Sequence, residues 1–284
     1  MKISVITPNY NYSQYIGQTI ESVVNQNYDD LEHVIIDDGS TDDSVASIKK
    51  YQQKYPQKIL LFEQENCGQS RALNKALDQL NGDIIGWLNS DDTFCENIFL
   101  KIATIFEADS DLDIVMGNMN VVDLEGQLIF TRKHLKYNFT ESCLLGHFTT
   151  TSSNAVFWRR QDKSDRVYFN NELNYNMDGD FFSRLFKEKK VFQLFEPIGN
   201  FRGEHSTIAS ERFDNWNEIV KKEMNYELDN SFSRLSVSNF VRKSNRKYIK
   251  LIFQIFRIVR RIIYFHYVSK YLQLASYKIK NLNN

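Results

Sequence analysis

The chain has 284 residues, 42% of them hydrophobic, enough to bury a full core, so composition excludes a disordered or collagen-like polypeptide. Three cysteines, Cys67, Cys95 and Cys143, match neither a zinc motif nor a disulfide framework, which points to a reducing cytoplasm. The formal net charge of -1 hides an asymmetry: no Asp or Glu follows Asp229, whereas 12 of the 35 Lys and Arg do, leaving a tail near +12 behind a body near -13.

Lys2 to Thr7 is an apolar run that predicts a buried strand, with no export signal ahead of it. Ile16, Ile20, Val23 and Val24 then have helical spacing within Ser13 to Asn25. Leu31 to Ile36 predicts a second strand, closed by Asp37-Asp38-Gly39-Ser40. Ser40 or Thr41 is the expected cap of a helix through Val45 and Ile48. A strand over Lys58 to Phe62, a helix over Gln69 to Leu80 and a strand over Ile84 to Leu88 follow, the last ending in Asn89-Ser90-Asp91-Asp92. Such alternation predicts an α/β fold with a mostly parallel central sheet flanked by helices. Next come a helix from Ile98 to Phe106, a strand near Ile114 to Met116 and a hairpin turning at Asp123-Leu124-Glu125-Gly126. Phe181, Phe182 and Leu185 space as a further helix that begins near Asp178. Residues 1–229 read as one folding unit.

In parallel sheets ligands sit outside the carboxyl ends of the strands. Thr7-Pro8-Asn9-Tyr10, Asp37-Asp38 and Asp91-Asp92 all fall at such ends.

Six segments in this order resemble glycosyltransferase family 2. They are Ile6-Thr7-Pro8-Asn9-Tyr10-Asn11, Ser22-Val23-Val24-Asn25-Gln26, and Ile35 through Asp42 with its Asp37-Asp38-Gly39-Ser40 core. Asn66-Cys67-Gly68-Gln69-Ser70-Arg71-Ala72-Leu73-Asn74, Gly86 through Asp92, and Met177 through Leu185 complete the set, which spans about the first 210 residues. The resemblance implies a GT-A fold, an inverting transfer of sugar from a nucleotide diphosphate donor, a UDP-sugar, and a role in bacterial surface polysaccharide synthesis.

Breaking the anomeric bond of such a donor leaves charge on the β-phosphate, which a divalent cation, manganese or magnesium, neutralises as a Lewis acid. Asp91 and Asp92 offer the hard oxygen ligands that such a cation takes. By resemblance they are the DXD-type pair, Asp92 the direct ligand and Asp91 shared between ribose and metal, while Asn89 stands where many members carry another Asp. The alternative is that they cap a helix starting near Phe94. Thr7, Pro8 and Tyr10 with Asp38 form a candidate nucleobase pocket, in which Tyr10 stacks and the Asp38 carboxylate accepts the imide proton of uracil; a simple tight turn at Asp37-Asp38 is the alternative. Arg71, opening a helix, is placed to face phosphate.

Single displacement needs a base for the acceptor hydroxyl. Asp178 and Asp180 are the candidates, and the resemblance favours Asp178, with Met177-Asp178 replacing the usual Glu-Asp. Phe201 through Ser206 resembles an Arg-x-His-type segment that closes over the diphosphate, making His205 a metal or phosphate ligand and Arg202 a phosphate contact.

The expected division is a GT-A catalytic domain over 1–229, with a nucleotide-sugar-binding half at 1–125 and an acceptor-side half at 126–229, then a basic amphipathic helical region over 230–284. In that tail Lys243, Arg246, Lys247, Lys250, Arg257, Arg260 and Arg261 form a stripe beside Ile252, Phe256, Val259 and Ile263. This pattern suits an interfacial helix on anionic lipid, placing the protein in the cytoplasm, on the inner face of the plasma membrane, near a glycan or lipid-linked acceptor. Packing of the tail on the catalytic domain is the alternative, and nucleic acid is not expected. A nucleotide-sugar-binding protein without catalysis is the rival function.

Overall fold

The structure, a computed structural model, describes residues 1–134, 152–173 and 176–202. Its first half follows the predicted alternation: β1 (Ile3–Asn9), α1 (Ile16–Val24), β2 (Leu31–Asp37), α2 (Ser44–Lys54), β3 (Ile59–Glu63), α3 (Gln69–Gln79) and β4 (Ile84–Trp87). β1, β2 and β4 are buried at every residue, as strands covered on both faces must be. β3, β2, β1 and β4 are parallel neighbours in that order.

The start of α2 departs from expectation. Its cap position is Asp43, not Ser40 or Thr41. Those residues instead tie the loop after β1 to the loop after β2: the Asn11 amide donates to the Ser40 hydroxyl (2.9 Å), which itself donates to Asp37 Oδ1 (2.6 Å), and the Thr41 amide donates to Asn11 Oδ1 (2.8 Å). Asp42 likewise accepts the amides of Ser13 (2.9 Å) and Ser44 (3.0 Å).

The second half contains β5 (Thr93–Phe94), α4 (Ile98–Ala108), β6 (Ile114–Val122), β7 (Leu128–Arg132), β8 (Val156–Arg159), α5 (Met177–Leu185) and β9 (Val191–Arg202). The strands complete one nine-stranded sheet, β3-β2-β1-β4-β8-β6-β9-β5, with β7 beside β6. β8 runs antiparallel to both β4 and β6, so the sheet is mixed, with β3-β2-β1-β4 parallel on one side of it and the β6–β9 pair parallel on the other. The β6–β7 hairpin turns where predicted: Gly126 takes φ +85°, and the Gln127 amide donates to the Asp123 carboxylate (2.7 Å).

Strand alternation distributes the core to two faces. Ile6, Ile85 and Trp87 pack beneath α3 and α5 with Leu73, Leu77, Phe181 and Phe182. Ile3, Val5 and Ile84 pack on the other face with Ile98, Phe99, Ile102 and Phe106 of α4. Trp87 meets Phe169 edge-on (5.1 Å) and Phe169 stacks on Phe181 (3.9 Å). Such pairs contribute about 0.5–1.5 kcal/mol each beyond area burial, and this aromatic column lies directly behind the end of β4.

Candidate active site

β1, β2 and β4 end at one edge of the sheet, with Asn9 opposite Asp37 and Ile6 opposite Trp87. The loops that follow them enclose a cleft of about 340 Å³. Pro8, Asn9, Tyr10 and Tyr12 line it from β1, Asp38 from β2, Asn66, Gly68, Gln69 and Ala72 from the start of α3, and Asn89, Ser90 and Asp91 from β4. Of the residues expected at a donor site, Pro8, Tyr10, Asp38 and Asp91 therefore meet around one space.

Thr7, Arg71, Asp92 and Arg202 do not line it. Thr7 is buried within β1, where its hydroxyl pairs with His33 Nε2 (2.8 Å). His33 is fully enclosed, and burial pushes its pKa down to about 3. Arg71 is exposed on α3, since the helix turns about 100° between it and the cleft-lining Ala72.

Asp38 is held as firmly as it holds. Oδ1 accepts Gln64 Nε2 (2.7 Å) and the Cys67 amide (3.0 Å), while Oδ2 accepts the Gly68 amide (2.8 Å). The carboxylate thereby fixes the loop that forms one cleft wall. Asp37 turns away, accepting Asn9 Nδ2 (2.8 Å) and the Ser40 hydroxyl. These side-chain networks make Asp37-Asp38 more than a tight turn. Asn89 Oδ1 accepts both Trp87 Nε1 (3.0 Å) and Gln69 Nε2 (3.1 Å), which joins the end of β4 to the start of α3.

Asp91 and Asp92 do not cap a helix: Thr93-Phe94 is strand β5, and α4 begins at Ile98 behind Asn97. The Thr19 hydroxyl of α1 reaches the carbonyls of Ser90 and Asp92 (2.8 Å each), pinning the acidic segment from below. Asp92 is 1% exposed. Its Oδ1 accepts the Arg202 amide (3.1 Å), while Oδ2 is buried without a hydrogen-bond partner. Burial first, and the adjacent Asp91 charge second, push its carboxyl well above the usual carboxylate range. A divalent cation fits this donor set, because it would satisfy the orphaned oxygen and neutralise the paired charges. No group of three His, Cys, Asp or Glu able to hold a metal occurs among the described residues. Magnesium-type sites commonly use one or two carboxylates with substrate phosphates. His205 lies outside the described residues.

Arg202 is not a phosphate contact here. It is 2% exposed, and its guanidinium is bound by protein oxygens.

On the far side of α3, the Ser70 hydroxyl contacts Met177 Sδ (2.9 Å) and the Leu173 carbonyl (3.2 Å), which docks the N-terminus of α5 against the cleft wall. Asp178 lies in the first turn of α5, part of its surface open and the rest packed by protein. This packing raises its carboxyl pKa, against the opposing hydrogen bond from the Gly179 amide (2.8 Å). Asp180 is buried, and Arg184 Nε (3.0 Å) and Nη2 (2.6 Å) converge on its Oδ2. Sequence reasoning did not single out Asn9, Tyr12, Asn66 and Gln69 as lining residues, although each lies in or beside a quoted motif. Thr19 carries no such signal, because its partners are about seventy residues away.

The sequence model of "Glycosyl transferase family 2" matches residues 4–195. The chain belongs to family 2. A relative within the wider group is the minor teichoic acid biosynthesis protein GgaA of Bacillus subtilis, 28% identical over 279 residues, covering 93% of this chain and 59% of that protein. Among solved structures, S. aureus TarS 1-349 in complex with UDP-GlcNAc has a TM-score of 0.63 at 22% identity, covering 87% of this chain and 74% of that one. The mannosyltransferase PcManGT of Pyrobaculum calidifontis, in complex with GDP-Man and Mn2+, has a TM-score of 0.54 at 15% identity, covering 92% and 86%. These two likenesses show the GT-A fold. The chain spans less than two thirds of the length of the first curated relatives it matches.

Proposed function

We propose that this chain transfers a sugar, with inversion, from a UDP-sugar to a hydroxyl of a bacterial surface-polymer acceptor, with manganese or magnesium held at Asp91 and Asp92. The observation that carries this reading is the meeting, at one sheet edge, of a nucleotide-sized cleft and an acidic pair with an orphaned buried oxygen. Membership of family 2, the UDP-GlcNAc in the TarS complex and the Mn2+ in the PcManGT complex support it, and the relationship to GgaA supports a surface-polymer acceptor.

In this mechanism Pro8 and Tyr10 pack against the nucleobase and Asp38 orders the wall beside it. When bound, the cation supplies Lewis-acid stabilisation of the diphosphate leaving group. Asp178 takes the proton of the acceptor hydroxyl as that oxygen attacks the anomeric carbon. Its raised pKa favours proton uptake, whereas Asp180 is already engaged by Arg184. Residues 230–284, outside the described residues, would hold the protein at an anionic cytoplasmic membrane surface. Among the described residues no helix is long and apolar enough to cross a membrane.

The test is a panel of nucleotide-sugars, with and without manganese, followed by turnover of the best donor in wild type and Asp178→Asn. The expected result is metal-enhanced thermal stabilisation by a UDP-sugar and a loss of about 10²–10⁴ in kcat for the variant with donor affinity retained. Wild-type protein that binds donor but never turns over with any acceptor would favour the non-catalytic rival.

A further inference from the structure

We infer that Arg202 is a positioning residue that holds the Asp91-Asp92 segment in place from behind the cleft. This rests on the assignment of that acidic pair to the cation and names what fixes its geometry.

Arg202 is the last residue of β9 and sits where three otherwise separate elements meet. Nε donates to the Asp91 carbonyl (3.0 Å), Nη1 to the carbonyls of Asp123 (3.2 Å) and Leu124 in the β6–β7 turn, and Nη2 to Gln18 Oε1 of α1 (2.8 Å). The guanidinium also lies over the ring of Tyr15, 4.6 Å from its centroid. The Arg202 backbone amide donates to Asp92 Oδ1 as well. One residue therefore binds both aspartates, the first through its carbonyl and the second through its carboxylate.

Only a planar guanidinium offers donors in enough directions for this arrangement; a lysine ammonium reaches one cluster of acceptors at a time. β5 is two residues long and pairs with β9 only at Thr93–Asn200 and Phe94–Gly199. Without Arg202, the segment ahead of β5 would lose its tie to the hairpin turn and α1. The Asp91 carbonyl would lose this donor. The guanidinium contacts also hold the end of β9 in place, and with it the Arg202 backbone amide that donates to Asp92 Oδ1 and leaves Oδ2 as the oxygen without a hydrogen-bond partner.

The experiment measures Mn2+ binding to the full chain by electron paramagnetic resonance, with UDP present, for wild type, Arg202→Lys and Gln18→Leu. UDP affinity without metal is measured in parallel. The expected result is a Mn2+ affinity about 10- to 100-fold weaker in Arg202→Lys, as for other residues that orient metal ligands, with metal-free UDP binding unchanged. Gln18→Leu removes one acceptor at the surface and is expected to give a smaller loss in the same direction, even should Arg202→Lys fail to fold. Unchanged Mn2+ affinity in the folded variants, or an equal loss of metal-free UDP binding, overturns the inference. Wild-type protein that holds no Mn2+ with UDP sinks the functional assignment itself.

Discussion

Asp178 and His33 show how enclosure acts on two kinds of titrating side chain. For the Asp178 carboxyl it favours the protonated form, which helps a base; for the His33 imidazole it favours the neutral form, which taxes stability in acid. An unfolded histidine takes up a proton below pH of about 6.5, whereas folded His33 resists until about pH 3. Its effect is therefore absent above the first value, and on acidification stability falls by about 1.4 kcal/mol per pH unit between the two. His33→Gln is expected to flatten this part of the stability profile, read from urea midpoints at pH 7, 6 and 5. An unaltered slope would assign acid sensitivity elsewhere, and His134, lowered to about 4 by burial, is the next group to vary.

Among the connecting elements, the turn after β2 combines crowding with a left-handed backbone. Gly39 adopts φ +79°, and a Cβ added there would lie 2.9 Å from the Asn66 backbone nitrogen. Strain and overlap act together, so Gly39→Ala is expected to destabilise by about 1–3 kcal/mol. It should also weaken nucleotide binding, because Asn66 lines the cleft. Chemical denaturation and UDP titration of the same variant separate the two effects. By contrast, the opposite side of α3 tolerates an exposed Arg71, whose replacement is expected to leave the fold intact.

Across the whole molecule, the part up to Asp92 was largely legible from sequence because its periods are local: apolar runs make strands, and three- to four-residue spacing makes helices. β5, β8 and β9 were not. Two residues carry no period in β5, and β9 breaks alternation where its pairing with β6 shifts register around Met116 and Asn118. At the site, strand-end position located Pro8, Tyr10, Asp38 and Asp91, yet motif membership alone could not tell which way Thr7 or Arg71 points. Arg202 was visible as a cation, but its acceptors at Gln18, Asp91 and Leu124 come together only through the fold.

The bond from the Trp87 indole to Asn89 gives the cleft an intrinsic optical gauge. Trp87 is 2% exposed, while the amide oxygen it donates to belongs to a residue on the cleft floor. A nucleotide that shifts Asn89 alters the field at the indole without touching it. Tryptophan emission should change on donor binding, and Trp87→Phe should abolish the change, allowing occupancy to be followed without a label.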